Sequence, residues 1–245
     1  MRRAIGWLFA VMLLVGVPAV AFADDGGQDT QTEAVEVAVE GDNTIDPAAP
    51  AVGSTHEVDG STYQVTSNDP KTVTFVKSKN ATSVTVPDAV QIGGKAYLVT
   101  EIGPAAFAPA KKKLTSVKIG KNVKVIGASA FAGCAKLVKV TGGAAVTIIK
   151  AKAFAGCKKL KKCAPFSSKV LVKVGKKAFK GAKKLKKLTA TSQLLKKKAV
   201  KGSLKGSSVK TIKVKVGAKS LNKKFAKKYK KFFTKANCGK KAKIK

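Results

Sequence analysis

The feature that most constrains this fold is a short segment that recurs along the chain at a nearly constant interval. Its clearest copy is Val125 to Val140, which reads VIGASAFAGCAKLVKV, and related copies precede and follow it. The phenylalanines shared by the copies are 24, 23 and 25 residues apart, at Phe107, Phe131, Phe154 and Phe179. A repeat of this length predicts an elongated solenoid of stacked coils.

Aligning the copies places apolar residues in two columns that we expect to point inward. The first column is Leu114, Leu137, Leu160, Leu185 and Val209, and the second is Val117, Val140, Cys163, Leu188 and Ile212. In the last copy we place Val200 at the phenylalanine position, with Leu195 five residues before it. A coil buries about five such side chains, worth roughly 8 to 15 kcal/mol. Ordering its backbone costs about 1 to 2 kcal/mol per residue, so the coils fold only as a stack.

The copies resemble the BspA-like leucine-rich repeats of bacterial surface proteins. The resemblance is carried by Ile126-Gly127, Ala130-Phe131, Gly133-Cys134, Leu137 and Val140, and again by Ala153 through Leu160. It implies a β-rich repeat solenoid with short helical turns, a β-hairpin N-terminal cap and a helical C-terminal cap. It also implies an extracellular protein that adheres to host or matrix proteins.

The chain before the repeats divides into three parts. Residues 1–23 combine Arg2-Arg3, an apolar run and the ending Ala21-Phe22-Ala23, which predicts a cleaved secretory signal peptide; an uncleaved membrane anchor is the alternative. Residues 24–53 are acidic and rich in Gly, Pro, Ala and Thr, which predicts a flexible linker. Residues 54–101 contain short β-type runs at 61–66, 72–76, 83–86 and 96–100, which we interpret as hairpins that cap the first coil.

The array is expected to span 102–216, and 217–245 to form a C-terminal cap of helix and strand. Apolar residues recur at helical spacing from Ser220 to about Asn237, and Lys240 to Lys245 could add a final strand. The apolar stripe of this helix could seal the last coil. A basic aromatic helix could instead lie on an anionic membrane, so peripheral membrane contact is the alternative.

Few residues in the array could support catalysis or bind a metal. No Asp, Glu or His follows Glu101, and the only histidine is His56, which we expect in a solvated loop. Of the four cysteines, Cys134 and Cys157 share a column with Ala110, Ala182 and Ser203, and Cys163 lies in the second apolar column. We therefore predict no enzyme, cofactor or metal site. A Cys134–Cys157 disulfide between adjacent coils stays open, because the expected distance allows it.

Lysine is the strongest functional signal. All thirteen acidic residues lie between Asp24 and Glu101, whereas 43 lysines and no carboxylate side chain follow. The alignment places these lysines in rows, about 4.8 Å apart from coil to coil. One row is Lys139, Lys162 and Lys187, the next is Lys161, Lys186 and Lys210, and the third is Lys136, Lys159 and Lys184, with Lys111 to Lys113 and Lys196 to Lys198 beside them. Such a surface either is simply solvated or binds a polyanion.

The sequence therefore predicts a secreted or cell-surface binding protein whose lysine rows engage its partner. The candidate partners are an extracellular-matrix or host surface protein, an acidic glycan and wall teichoic acid. Sequence-specific nucleic-acid binding is not expected, because the chain beyond Arg3 has no arginine to grip phosphate or guanine. The alternatives are a structural envelope protein held by charge on wall or membrane, and a non-specific nucleic-acid binder. The acidic segment from Asp24 to Glu101 could fold back and shield part of the lysine surface; the oligomeric state is not predicted.

Overall fold

A computed structural model describes residues 49–238 and 242–245 of the chain. The signal peptide and most of the predicted linker lie outside the described residues. The elements in chain order are β1 (Thr55–Val58), β2 (Ser61–Asn68), β3 (Lys71–Lys77), β4 (Ser83–Val86), β5 (Ala89–Ile92), β6 (Lys95–Ile102), β7 (Ser116–Ile119), β8 (Val125–Ile126), β9 (Lys139–Gly142), β10 (Ile148–Ile149), β11 (Lys162–Cys163), β12 (Lys173–Val174), β13 (Lys187–Ala190), β14 (Thr211–Val214), α1 (Lys219–Lys230), α2 (Lys235–Cys238) and β15 (Lys243–Ile244).

Successive coils form two parallel ladders, which confirms the predicted solenoid. The front sheet consists of β4, β7, β9 and β11, in that spatial order and all parallel. The back sheet continues from β3 through β6, β8 and β10 to β12, also by parallel pairing. Each central coil thus gives one strand to each sheet. In each sheet, apolar residues at equivalent positions of neighbouring coils pair with each other. Ile126 pairs with Ile149 in the back sheet, and Val140 pairs with Cys163 in the front sheet.

Both predicted apolar columns are buried between the two sheets. Every member from Leu114 to Ile212 is at most 5% exposed. The leucines lie just before the strands rather than in them, since Leu137 is two residues before β9. Between the columns the phenylalanine rings form a continuous stack, with centroid separations of 4.3, 4.9 and 5.3 Å from Phe107 to Phe179. Phe75 of β3 extends this stack by one ring, at 5.4 Å from Phe107.

The N-terminal segment differs from the predicted set of hairpins. Strands β1, β2 and β3 do pair antiparallel, as does β5 with β6. However, β4 pairs parallel with β7, so the front ladder already begins inside the segment that the sequence assigned to the cap. The end of the predicted linker is also held against β2. Gly53 donates its N–H to Val65 O at 2.8 Å, and the Asn68 amide donates to Pro50 O at 3.0 Å.

The front ladder is interrupted once. After β11 the chain forms a short 3-10 turn, Ala164–Ser167, in which Pro165 and Phe166 are buried. After β12 of the back sheet, the chain returns in β13, which pairs with β14, and β14 pairs with β15, in a separate three-stranded C-terminal sheet. Side chains bridge the interruption, because the Ser167 hydroxyl donates to Thr189 O at 2.9 Å. The stack is therefore continuous across the break even though the strand ladder is not.

The predicted position of Val200 in the last coil is wrong. Val200 ends a 3-10 turn, Lys198–Val200, that packs against β12 of the back sheet. The N–H groups of Lys177 and Gly181 donate to the carbonyls of Gly202 and Gly206, both at 2.8 Å. Residues 202–206, rather than Val200, therefore lie beside the segment that carries Phe179. Ser203 consequently does not continue the cysteine column.

The C-terminal helix is shorter than predicted. Helix α1 ends at Lys230 rather than near Asn237, and the buried pair Phe232 and Phe233 follows it. Its apolar side is buried, since Phe225 is 9% and Tyr229 0% exposed. The Tyr229 hydroxyl donates a hydrogen bond to Ser192 O, which ties the helix to the preceding coil. Within residues 49–238 and 242–245, no helix has both the length and the apolar character needed to cross a bilayer.

Candidate functional site

All nine lysines of the three predicted rows are exposed, on the outer side of the front sheet and of the C-terminal sheet. We call them the lysine patch. The outward direction follows from the strand sequence. Because Leu160 and Cys163 are buried, the two residues between them, Lys161 and Lys162, face solvent. The same spacing repeats at Leu185 and Leu188, so these two coils each present a pair of adjacent lysines, Lys161-Lys162 and Lys186-Lys187.

The first row is fixed by strand pairing. Lys139 of β9 is the direct partner of Lys162 of β11, so their backbones are neighbours across one rung. On the N-terminal side the partner of Lys139 is Ser116. On the C-terminal side Lys187 of β13 pairs with Thr211. In the front ladder this position changes from serine in β7 to lysine in β9 and β11, and in the separate C-terminal sheet it changes from lysine to threonine.

The second and third rows are fixed by hydrogen bonds between coils. Lys210 N–H donates to Lys186 O at 2.8 Å, which brings these two second-row backbones together. Lys161 N–H donates to Val138 O at 2.8 Å, so the second row begins at Lys161 and its neighbour in the preceding coil is a valine. In the third row the N–H of Lys159 donates to Ala135 O at 3.1 Å. The N–H of Lys184 likewise donates to Lys158 O at 3.1 Å. This last bond crosses the interruption between β11 and β13, so the third row runs through it.

The lysines expected beside the patch separate into two groups. Lys111 to Lys113 precede Leu114 and are exposed at the N-terminal end of the third row. Lys196 to Lys198 instead lead into the 3-10 turn that packs against β12, so they belong to the back sheet. One further row member was missed from the sequence. Lys243 of β15 pairs with Thr211, which places it in the first row after the long C-terminal connection.

No patch lysine has a carboxylate partner among the described residues. The ion pairs of this part of the chain join Lys121 to Asp88 at 3.8 Å and Lys150 to Glu101 at 2.8 Å. Both acidic residues belong to the N-terminal region, and neither lysine belongs to the three rows. Within the described residues, no acidic side chain therefore pairs with the positive charge of the patch.

The cysteines of the array are core residues. Cys134, Cys157 and Cys163 are buried and free, so the structure contains no Cys134–Cys157 disulfide. The Cys157 thiol donates to Phe131 O at 3.1 Å. Burial raises the pKa of the Cys134 and Cys163 thiols to about 12 and that of Cys157 even further. These thiols are therefore neutral and packed at physiological pH, which suits a structural role.

His56 is not in a loop, as the sequence suggested, but in β1. It is half-buried, and its Nε2 lies 2.9 Å from the Ser54 hydroxyl. In the part of the chain that the structure describes, no group of three or more His, Cys, Asp or Glu side chains lies close enough to hold a metal ion. The lysine patch is therefore the candidate functional site of the described chain, and its charge can attract an extended anion.

Comparison with known proteins gives matches that agree with this architecture. The family described as "BspA type Leucine rich repeat region" matches residues 100–231 in six copies. A solved leucine-rich cell surface protein from Faecalibacterium prausnitzii A2-165 is 26% identical, with a TM-score of 0.55 over 69% of this chain. The match covers 46% of that protein, so this chain spans about half of its length. The solved leucine-rich repeat protein of T. pallidum is 21% identical, with a TM-score of 0.53. That match covers 65% of this chain and 71% of the T. pallidum chain. No curated protein sequence matches the chain.

Proposed function

Because the chain belongs to the BspA-type leucine-rich repeat family, we propose that it is a cell-surface binding protein whose lysine patch engages an acidic partner. The observation that carries the proposal is the in-register stacking of exposed lysines, with Lys139 opposite Lys162, and no carboxylate opposite them among the described residues. The protein acts in this proposal by adhesion, without a chemical reaction.

Electrostatics supports this role. Neighbouring rungs of a β-ladder are about 4.8 Å apart. That distance is shorter than the roughly 8 Å over which physiological salt screens charge. Each lysine in a row therefore repels the next, and an exposed protein surface usually avoids this by mixing both signs. A bound polyanion replaces that repulsion with many weak attractions and releases counterions, so its affinity depends strongly on salt.

Location and partner class are parts of the same proposal. The apolar, basic leader at residues 1–23 supports export, and the Faecalibacterium relative is described as a cell surface protein. The partners that suit a lysine surface outside the cell are acidic glycans, wall teichoic acid, and acidic regions of matrix or host surface proteins. Lysine without arginine suits diffuse attraction better than bidentate recognition of phosphate.

The test is the salt dependence of binding by the purified mature chain, residues 24–245. Immobilised sulfated glycan, wall teichoic acid and matrix proteins are each presented at about 50 and 300 mM salt. We expect binding to at least one acidic partner to fall by an order of magnitude or more between these conditions. Binding that is unchanged by salt contradicts the electrostatic mechanism. Release from cells by salt without binding to any host ligand would instead favour the structural envelope role.

A further inference from the structure

The lysine patch has a direction and two ends. Three consecutive lysine rungs of its first row run along the stacking axis and are bounded by Ser116 on one side and Thr211 on the other, with Lys243 beyond Thr211. Between these ends lie the rungs of Lys139, Lys162 and Lys187, so the uninterrupted charge spans three coils. At about 4.8 Å per rung, three coils extend over roughly 10 to 15 Å. A site of this shape favours a thin, linear ligand over a broad one.

We propose that the partner is an acidic polysaccharide whose chain lies along the stacking axis, with its acidic groups following the lysine rows. This inference rests on the proposed function and adds to it the class and orientation of the ligand. The three rows give the chain a strip of ammonium groups, and in two coils the first and second rows lie side by side, at Lys161-Lys162 and Lys186-Lys187. The ligand therefore crosses the strands rather than running parallel to them.

Spacing selects the class of polymer. A 1,4-linked sugar ring advances its chain by about the distance of one rung, so a polymer with one acidic group on each sugar stays in register with the lysines. A stacked nucleic-acid strand advances only about 3.4 Å per phosphate. Its charges fall behind the rungs by about 1.4 Å per coil, which amounts to roughly 3 Å over the two intervals between the three rungs. The described rows therefore fit an acidic glycan better than a nucleic acid of equal charge.

The interruption of the front ladder does not divide the site. The bond from Lys184 N–H to Lys158 O joins the coils on either side of it, and the Ser167 hydroxyl joins them again through Thr189 O. A chain bound along the axis thus contacts Lys162 and Lys187 together.

The experiment compares two triple variants of the mature chain that carry the same net charge. The patch variant replaces Lys139, Lys162 and Lys187 with serine, which the ladder already carries at Ser116. The control variant likewise replaces three lysines with serine, namely Lys124, Lys173 and Lys201, which are exposed on or beside the back sheet. Binding of 1,4-linked polyuronate oligosaccharides of increasing length is measured by calorimetry, with single-stranded DNA of equal charge as the competing polymer. Circular dichroism establishes that both variants are folded.

We expect the patch variant to lose about tenfold or more in affinity for polyuronate and the control variant no more than about twofold. Three lost contacts should also reduce the slope of log K against log salt by about two, using the single-strand coefficient of roughly 0.7 per contact. Affinity should rise with oligosaccharide length until the oligomer spans three coils. For longer oligomers the affinity should rise only in proportion to the number of places along the oligomer at which the patch can bind.

Three results overturn the inference. Equal losses of affinity in the two variants would mean that binding depends on total charge and not on the position of the lysines. In that case the proposed function would still hold if binding weakened with salt. Tighter binding of the DNA than of polyuronate of equal charge would reject the glycan as ligand. Absence of binding to every acidic polymer at low salt would reject the proposed function together with the inference.

Discussion

The first two rungs of the front sheet and the next two have the same interior and different exteriors. Facing inward, Val84, Val117, Val140 and Cys163 occupy one buried position on consecutive strands. Facing outward one residue earlier, the same strands carry Ser83, Ser116, Lys139 and Lys162. The Ser116 hydroxyl donates to the Ser83 hydroxyl at 2.9 Å, whereas the two lysines repel each other. In each strand the inward-facing residue therefore contributes to the core, and the outward-facing residue before it determines the surface charge.

This difference shows that the ladder does not require lysine. Serine, lysine and threonine all occur at the first-row position while the backbone pairing stays parallel and in register. The core stabilises the stack, and the outer residues can be exchanged at little structural cost. Substitutions in the core should consequently affect stability, and substitutions in the rows should affect binding.

The largest effect is expected from Phe154→Ala. This ring is fully buried in the middle of the aromatic stack, 4.9 Å from Phe131 and 5.3 Å from Phe179. Removing it leaves a cavity, and we expect the free energy of unfolding to fall by about 3 to 5 kcal/mol. Urea denaturation followed by circular dichroism measures the loss, with Lys161→Ala as the exposed control. A loss below about 1 kcal/mol would show that the rings do not hold the coils together.

A somewhat smaller effect is expected from Gly142→Ala at the end of β9. Gly142 has φ +72°, and a methyl group there would overlap the backbone carbonyl of Ile119 in the preceding coil. Strain and overlap together should cost about 2 to 3 kcal/mol. Gly133→Ala is the matched control, because Gly133 has φ +77° but open space around the added methyl group. Equal losses in the two variants would contradict close contact between these coils.

A smaller change in stability, of opposite sign, is expected from the patch variant. Replacing Lys139, Lys162 and Lys187 removes like charges stacked in one row, and each such pair costs a few tenths of a kcal/mol. The free energy of unfolding should therefore rise by about 0.5 to 1 kcal/mol at low ionic strength. The gain should disappear in molar salt, where charge is screened within about 3 Å. A gain that is independent of salt would mean that repulsion within the row is not its cause.

The smallest effect is expected from Ser116→Lys, which extends the first row by one rung. The new ammonium group would lie opposite Lys139, so a ligand along the axis gains one contact. We expect affinity for a long polyuronate to increase about two- to threefold, with a steeper dependence on salt. Gln193→Lys adds the same charge at an exposed position outside the rows. Equal gains from the two substitutions would argue against a directed row.

The central coils could be predicted from the sequence because their apolar residues repeat without insertions. The spacing that relates Leu137 to Leu160 also places Lys136 beside Lys159 and Lys139 beside Lys162, so the rows followed from the core. Only the exposure of these lysines and their lack of carboxylate partners in the described chain needed the coordinates.

The ends of the array could not be predicted in the same way. The last coil has no phenylalanine to mark its register, so the alignment chose Val200, whereas residues 202–206 lie beside the segment that carries Phe179. Pro165 and Phe166 have no counterpart in the other copies, so nothing in the repeat indicated the 3-10 turn that interrupts the ladder. The pairing of Lys243 with Thr211 depends on where a separate helix returns the chain, which periodicity does not report.

The most direct test of the account is residue-resolved footprinting of lysine amines. The mature chain is acylated under limiting reagent with and without a polyuronate oligosaccharide, and each lysine is quantified by mass spectrometry. We expect protection of the nine patch lysines, strongest at Lys139, Lys162 and Lys187, with little change at Lys124 and Lys173 on or beside the back sheet. Uniform protection of all exposed lysines, or protection confined to the back sheet, would contradict it.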